Sequence, residues 1–131
     1  MADSLARWAP VLRSVLRIAA AFLFMAHGTQ KLFGFPSSGR PTVALFSQMG
    51  LAGVLEVGGG LLLLFGLWTR PMAFILSGLM AWAYFQAHAP GGFWPILNRG
   101  ELAVLYCFLW LYLAAAGAGP ISVDGIVRKK K

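Results

Sequence analysis

Four apolar stretches, each near the length of about 20 residues that a helix needs to cross a bilayer core, occupy most of this chain. They run from about Ser14 to Phe33, Thr42 to Trp68, Pro71 to His88 and Leu102 to Ala118. In hydrocarbon each backbone N–H and C=O must find its partner inside the protein, so spans of this kind are helices. Only 11% of the 131 residues are charged and the mean hydropathy is +0.72. Soluble domains carry about 25% charge, and so few charges do not coat a water-facing surface. A disordered chain needs the opposite balance. The net charge of +7 does not make a nucleic-acid binder, because the basic residues lie between apolar runs or at the C-terminus, not along one face. The expected fold is an all-α integral membrane four-helix bundle forming a single domain.

Turn-forming residues divide the spans in the same way. Pro36, Ser37, Ser38, Gly39 and Pro41 link the first two. Thr69, Arg70 and Pro71 form a tight link, with Pro71 suited to a first helical turn. Ala89, Pro90, Gly91 and Gly92 end the third, and Gly117, Gly119 and Pro120 close the fourth. The first span is expected to stay in the protein. Cleavage after Ala26, as in a signal peptide, would discard polar residues placed for use. Four crossings put both termini and the second link on one side, with Arg7, Arg13, Arg17, Arg70, Arg128, Lys129, Lys130 and Lys131; the other side holds Lys31, Arg40 and Arg99. That bias places both termini in the cytoplasm. Residues 119–131 read as a short basic cytoplasmic tail, either resting on anionic lipid head groups or acting only as a stop signal.

Polar groups inside a bilayer are costly, so each needs a reason. Glu56 falls near the centre of the second span, where a carboxylate must be neutral or matched by a partner. Its helical neighbours Ala52, Gly53, Gly59 and Gly60 form a face of small residues that lets another helix approach. Glu56 should therefore point into the bundle. His27 and Lys31 share a face of the first helix, with Lys31 near the outer boundary where its stem can snorkel. Tyr84 and His88 share a face of the third. Gln48 lies about two turns outward of Glu56, and Asn98 and Glu101 precede or begin the fourth helix. The outer half thus collects these polar groups, and the inner half holds almost none apart from end residues. The pattern predicts a polar funnel open to the non-cytoplasmic side with Glu56 at its floor. The rival reading is a hydrogen-bonded network that only fixes helix register.

The lone Cys107 forms no internal disulfide, CxxC pair or zinc cage and reads as a small buried residue. No metal-binding spacing, phosphate-cradling loop or nucleophile elbow is present. His27 and His88, on separate helices, are the one pair able to ligate a haem. Aromatic residues such as Phe24, Trp82 and Trp110 either wall a flat apolar ligand such as a quinone or simply pack.

The string RIAAAFLFMAHGTQKLFGF, the run LEVGGGLLLLFGLWTRPMA, the third span closing at His88, and NRGELAVLYCFLWLYLAAAGAGPISVDG together resemble the DoxX family of small membrane proteins, from Arg17 to Gly125. The resemblance implies a four-helix membrane bundle of the bacterial or archaeal inner membrane. It implies association with quinol oxidase, thiosulfate:quinone oxidoreductase or related membrane redox complexes. Carried over by motif, the positions of interest are His27, Gly28, Lys31, Glu56, His88, Asn98, Gly100 and Glu101, with Asp124 in the closing SVD as an end cap.

The functional expectation is a component of a quinone-linked oxidoreductase with an outward-facing pocket. His27 and Glu56 handle protons there, and Lys31, Gln48, Tyr84, His88, Asn98 and Glu101 bind ligand. The chain holds no redox cofactor of its own, so electrons come from a bound quinone or a redox partner subunit. Two alternatives stand: a non-enzymatic scaffold that recruits a redox partner, and a small proton-coupled transporter built as a homo-oligomer.

Overall fold

The computed structural model describes residues 1–130. Among these the chain is helical, without strands: α1 (Ala2–Ala6), α2 (Ala9–Phe33), α3 (Gln48–Phe65), α4 (Thr69–Ala83), α5 (Pro95–Asn98), α6 (Glu101–Ala116) and α7 (Val123–Lys129). A π-helical turn, Tyr84–His88, continues α4 without a break, and a 3-10 turn follows at Ala89–Gly91. Of the helices, α2 and α3 are long and apolar enough to cross a membrane, and α6 is a shorter apolar helix.

Local chemistry sets the boundaries. Pro10 lies in the first turn of α2, where a missing N–H costs nothing, and Gly34 closes that helix in the left-handed region at φ 69°. Helix α3 starts at Gln48, later than the second apolar run suggests, because the Ser47 side chain accepts from the Gly50 N–H at 3.0 Å and caps it. Residues 42–47 are consequently outside the helix. Gly66, at φ 70°, closes α3. The next turn is tight enough to force Trp68 to φ 49°. The closing segment is not a loose tail. Ser122 caps α7 through the Gly125 N–H, and the Asp124 N–H donates to the Gly66 carbonyl.

Helix α2 packs along α3, α4 along α6, and α3 against α4. The shared core holds Ala21, Phe24, Leu63, Leu76, Trp110 and Leu113, each almost fully buried. Trp110 stacks on Tyr106 with centroids 5.6 Å apart, and Phe24 meets both rings edge-on at 5.1 and 5.3 Å. These edge contacts join α2 to α6. The reverse faces are apolar and bare: Phe22, Leu61, Phe74, Leu105 and Phe108 are all exposed. A water-soluble monomer avoids contiguous apolar surface of this kind, whereas lipid requires it.

Candidate functional site

The site begins with the small face of α3. A side chain at Gly28 would lie 2.8 Å from the Gly53 carbonyl oxygen and 2.9 Å from the Glu56 Cβ, so α2 and α3 touch through backbone. On the other flank Gly59 meets Leu76 and Met72 of α4. Enclosed between these helices, Glu56 is only 3% exposed. Lys31, one turn after His27, does not snorkel outward. Its Nζ donates to Glu56 Oε1 at 2.6 Å, because the α2–α3 approach sets it opposite the carboxylate. The other carboxylate oxygen, Oε2, is buried and has no hydrogen-bond partner.

Beside this pair lies a cavity of about 390 Å³, reached from all four long elements. Phe24, Trp82, Leu102 and Tyr106 provide apolar wall; His27, Lys31, Glu56 and His88 provide polar groups. His27 is exposed, and its ring stands edge-on to Tyr106 with centroids 6.4 Å apart. The proton-handling pair expected from the sequence, His27 and Glu56, therefore lines one chamber. Arg40 and Arg99 line it too, from the loops that flank α3 and α6. With Lys31, they set three cations against one carboxylate.

Tyr84 and Asn98 lie outside the cavity lining and brace it. The Asn98 amide donates to the Tyr84 hydroxyl at 3.1 Å and the Gly92 carbonyl at 2.9 Å, while its Oδ1 accepts from the Gly100 N–H at 2.8 Å. That leaves no free donor on the amide for a ligand. His88 Nδ1 lies 3.1 Å from the Asn98 carbonyl oxygen. A carbonyl only accepts, so Nδ1 carries the proton and Nε2 of the neutral ring is an acceptor. The Tyr84 ring lies nearly parallel to His88, with centroids 6.4 Å apart. Gln48 and Glu101 are both exposed in the first turns of their helices and do not reach the chamber. Sequence reasoning missed Arg40, Arg99 and Tyr106 as lining residues. The two arginines were visible as outer-loop charges, while Tyr106 carried no separate signal within an aromatic-rich helix. Among the described residues no three His, Cys, Asp or Glu side chains come together as a metal site.

The opposite end buries a charge that the sequence reading counts only among the span-end residues. Arg17 is fully buried. Its guanidinium donates to the Leu63 carbonyl at 2.7 Å, to the Ala118 carbonyl, and to the Ile121 carbonyl at 2.8 Å. Leu63 lies in the last turn of α3, where carbonyls lack helical partners and the helix dipole favours a cation. Ser14, also fully buried, accepts from the Ile121 N–H at 3.1 Å. The Asp124 carboxylate accepts from the Trp68 and Thr69 N–H groups, each at 2.9 Å, and so caps α4.

Comparison with known proteins supplies the family. Over an alignment of 133 positions the chain is 43% identical to an uncharacterised protein of Haemophilus influenzae, covering 98% of this chain and 99% of that relative. It is 31% identical over 125 positions to the inner membrane protein YqjF of Escherichia coli, covering 88% and 92%. No solved structure matches it. The DoxX family model matches residues 12–89, which include His27, Lys31, Glu56 and His88. With apolar helices bare to the outside and a relative of this similarity in a bacterial inner membrane, the chain is a membrane protein and belongs to the DoxX family.

Proposed function

We propose that this protein is a multi-pass inner-membrane component of a quinone-linked oxidoreductase system. Four helices, α2, α3, α4 with its π turn, and α6, cross the bilayer. Both termini are cytoplasmic and the Glu56 chamber opens to the other side. The positive-inside bias supports the orientation, and the inner-membrane name of the Escherichia coli relative supports the compartment.

The observation that carries the reading is the buried Glu56 carboxylate, paired with the partly exposed Lys31 at an aromatic-walled cavity, with one oxygen left without a partner. A quinone head is flat and apolar on its faces and accepts hydrogen bonds at its rim. The chamber offers Phe24, Trp82 and Tyr106 for the faces and His27 and Lys31 for the rim, so its residues fit such a group. A bound quinone would supply the electron-accepting chemistry. This chain's own part is protonic and electrostatic. Lys31 Nζ holds the carboxylate in place, Glu56 Oε2 is the atom at which a proton is held or released, and the exposed His27 ring exchanges protons with the outside. His88, fixed through Nδ1, presents Nε2 as an acceptor. Electrons enter from a partner subunit.

The test is reduction of a short-tailed quinone by the purified protein, supplied with thiosulfate or another donor and with any co-purifying subunit. Glu56→Gln and His27→Ala are each expected to lower the rate about a hundredfold. Unchanged rates in both variants would remove the proton role. If a partner enzyme still co-purified with Glu56→Gln at full activity, the protein would be a scaffold.

A further inference from the structure

A second cavity lies at the other end of the molecule, where α2 begins, α3 gives way to α4, and the chain closes. Its volume is about 540 Å³. Arg13, Arg70, Arg128 and Lys129 line it, against Asp124 as the acid. Both oxygens of Asp124 are already engaged by the Trp68 and Thr69 N–H groups, so this carboxylate is turned to the start of α4. The cations exceed it by three.

Two further observations separate this cavity from a merely basic surface. Arg13 is half-buried, and its Nε is shut away from solvent with no hydrogen-bond partner. Thr69, fully buried in the cavity wall, has a hydroxyl that likewise lacks one. Buried donors without acceptors are uncommon in folded proteins and are costly to maintain. Arg70 is held in place, since its Nη1 donates to the Ala115 carbonyl and its guanidinium lies over Gly117. A partly anchored arginine, a second arginine with an idle donor and an idle hydroxyl form the donor set that recognises a phosphate oxygen cluster.

We propose that this cavity is a phosphate-binding site, with Arg13, Thr69 and Arg70 as its donors and Arg128 and Lys129 of α7 adding positive charge to its lining. The phosphate is that of an anionic phospholipid head group or a soluble phosphate; the donor chemistry is the same for both. The site is independent of the Glu56 chamber and of the quinone reading.

The experiment uses the full-length protein in detergent. Retention of short-chain phosphatidylglycerol and phosphatidylcholine is read by native mass spectrometry, and binding of inorganic phosphate by phosphorus NMR. Wild-type protein should retain phosphatidylglycerol about tenfold better than phosphatidylcholine. Arg13→Gln/Arg70→Gln should abolish that preference, and Arg13→Lys/Arg70→Lys should keep part of it. Thr69→Val, close in shape and harmless to the helix, should weaken retention about threefold. Tight binding of inorganic phosphate, lost in the same variants, would identify a soluble ligand for the same site. The proposal is overturned if neither probe binds wild type better than phosphatidylcholine does. It is also overturned if binding survives Arg13→Gln/Arg70→Gln and Thr69→Val but vanishes in Arg128→Gln/Lys129→Gln/Lys130→Gln, which would reduce it to attraction by the tail.

Discussion

The two ends of the molecule each bury a charged side chain, and they treat it in opposite ways. Arg17 is surrounded by acceptors, with its guanidinium spread over three carbonyls from two separate segments. Glu56 has one cation on one oxygen and nothing on the other, and it borders a chamber. A charge whose every nitrogen is engaged by backbone is a joint. It fixes segments relative to one another and has little left for anything else. A charge with capacity to spare beside an open volume is available for chemistry. Burial alone would have ranked Arg17 above Glu56 as a functional residue; satisfaction reverses the order.

This contrast can be broken by substitution. The largest effect is expected at Arg17. Arg17→Met strands three carbonyls in an apolar setting and should cost about 4 kcal/mol or more, read as loss of the folded form in detergent unfolding curves. Arg17→Lys, which cannot span three acceptors, should recover only part of it. A smaller effect is expected at Lys31. Lys31→Met leaves Glu56 buried without its cation and should cost about 2–3 kcal/mol, below the usual range for a severed buried pair because Lys31 is about a quarter exposed. Lys31→Met/Glu56→Leu should regain most of that stability while remaining inactive, which separates folding from function at this end. The smallest effects are expected at the exposed residues: Gln48→Ala and Glu101→Ala should each change stability by less than about 0.5 kcal/mol and leave quinone turnover unaltered.

The difference between the two ends also explains what was legible in the sequence. Glu56 was legible because its environment is encoded locally: residues three and four positions away are Ala or Gly, and that spacing defines one helical face. The pairing of His27 with Lys31 on one face was readable for the same reason. Gln48 misled because distance along the axis is not direction around it. Eight residues at about 100° each leave it roughly 80° away from Glu56. Glu101, five positions before the inward-facing Tyr106, is rotated by about 140° from it. Arg17 was visible as a charge, but it counted as a span-end cation. Its partners are carbonyls, present at every residue and therefore silent in a sequence, and two of them belong to a non-helical segment some hundred positions later. The cap that Asp124 places on α4 is equally remote, although the acid itself stood out in a closing motif. Local periodicity is written in the chain, whereas long-range joints to backbone are not.

The Arg17 joint also has a consequence for biogenesis. Its acceptors at Ala118 and Ile121 follow it by 101 and 104 positions, so the ribosome makes the helix that carries Arg17 well before them. Until they are made, that guanidinium has only water or lipid phosphate in place of those two acceptors. The joint between α2 and the closing segment therefore forms only after α6 has been made. A copy truncated before Ala118 keeps α2, α3, α4 and α6 yet lacks the contacts that tie α2 to the segment after α6.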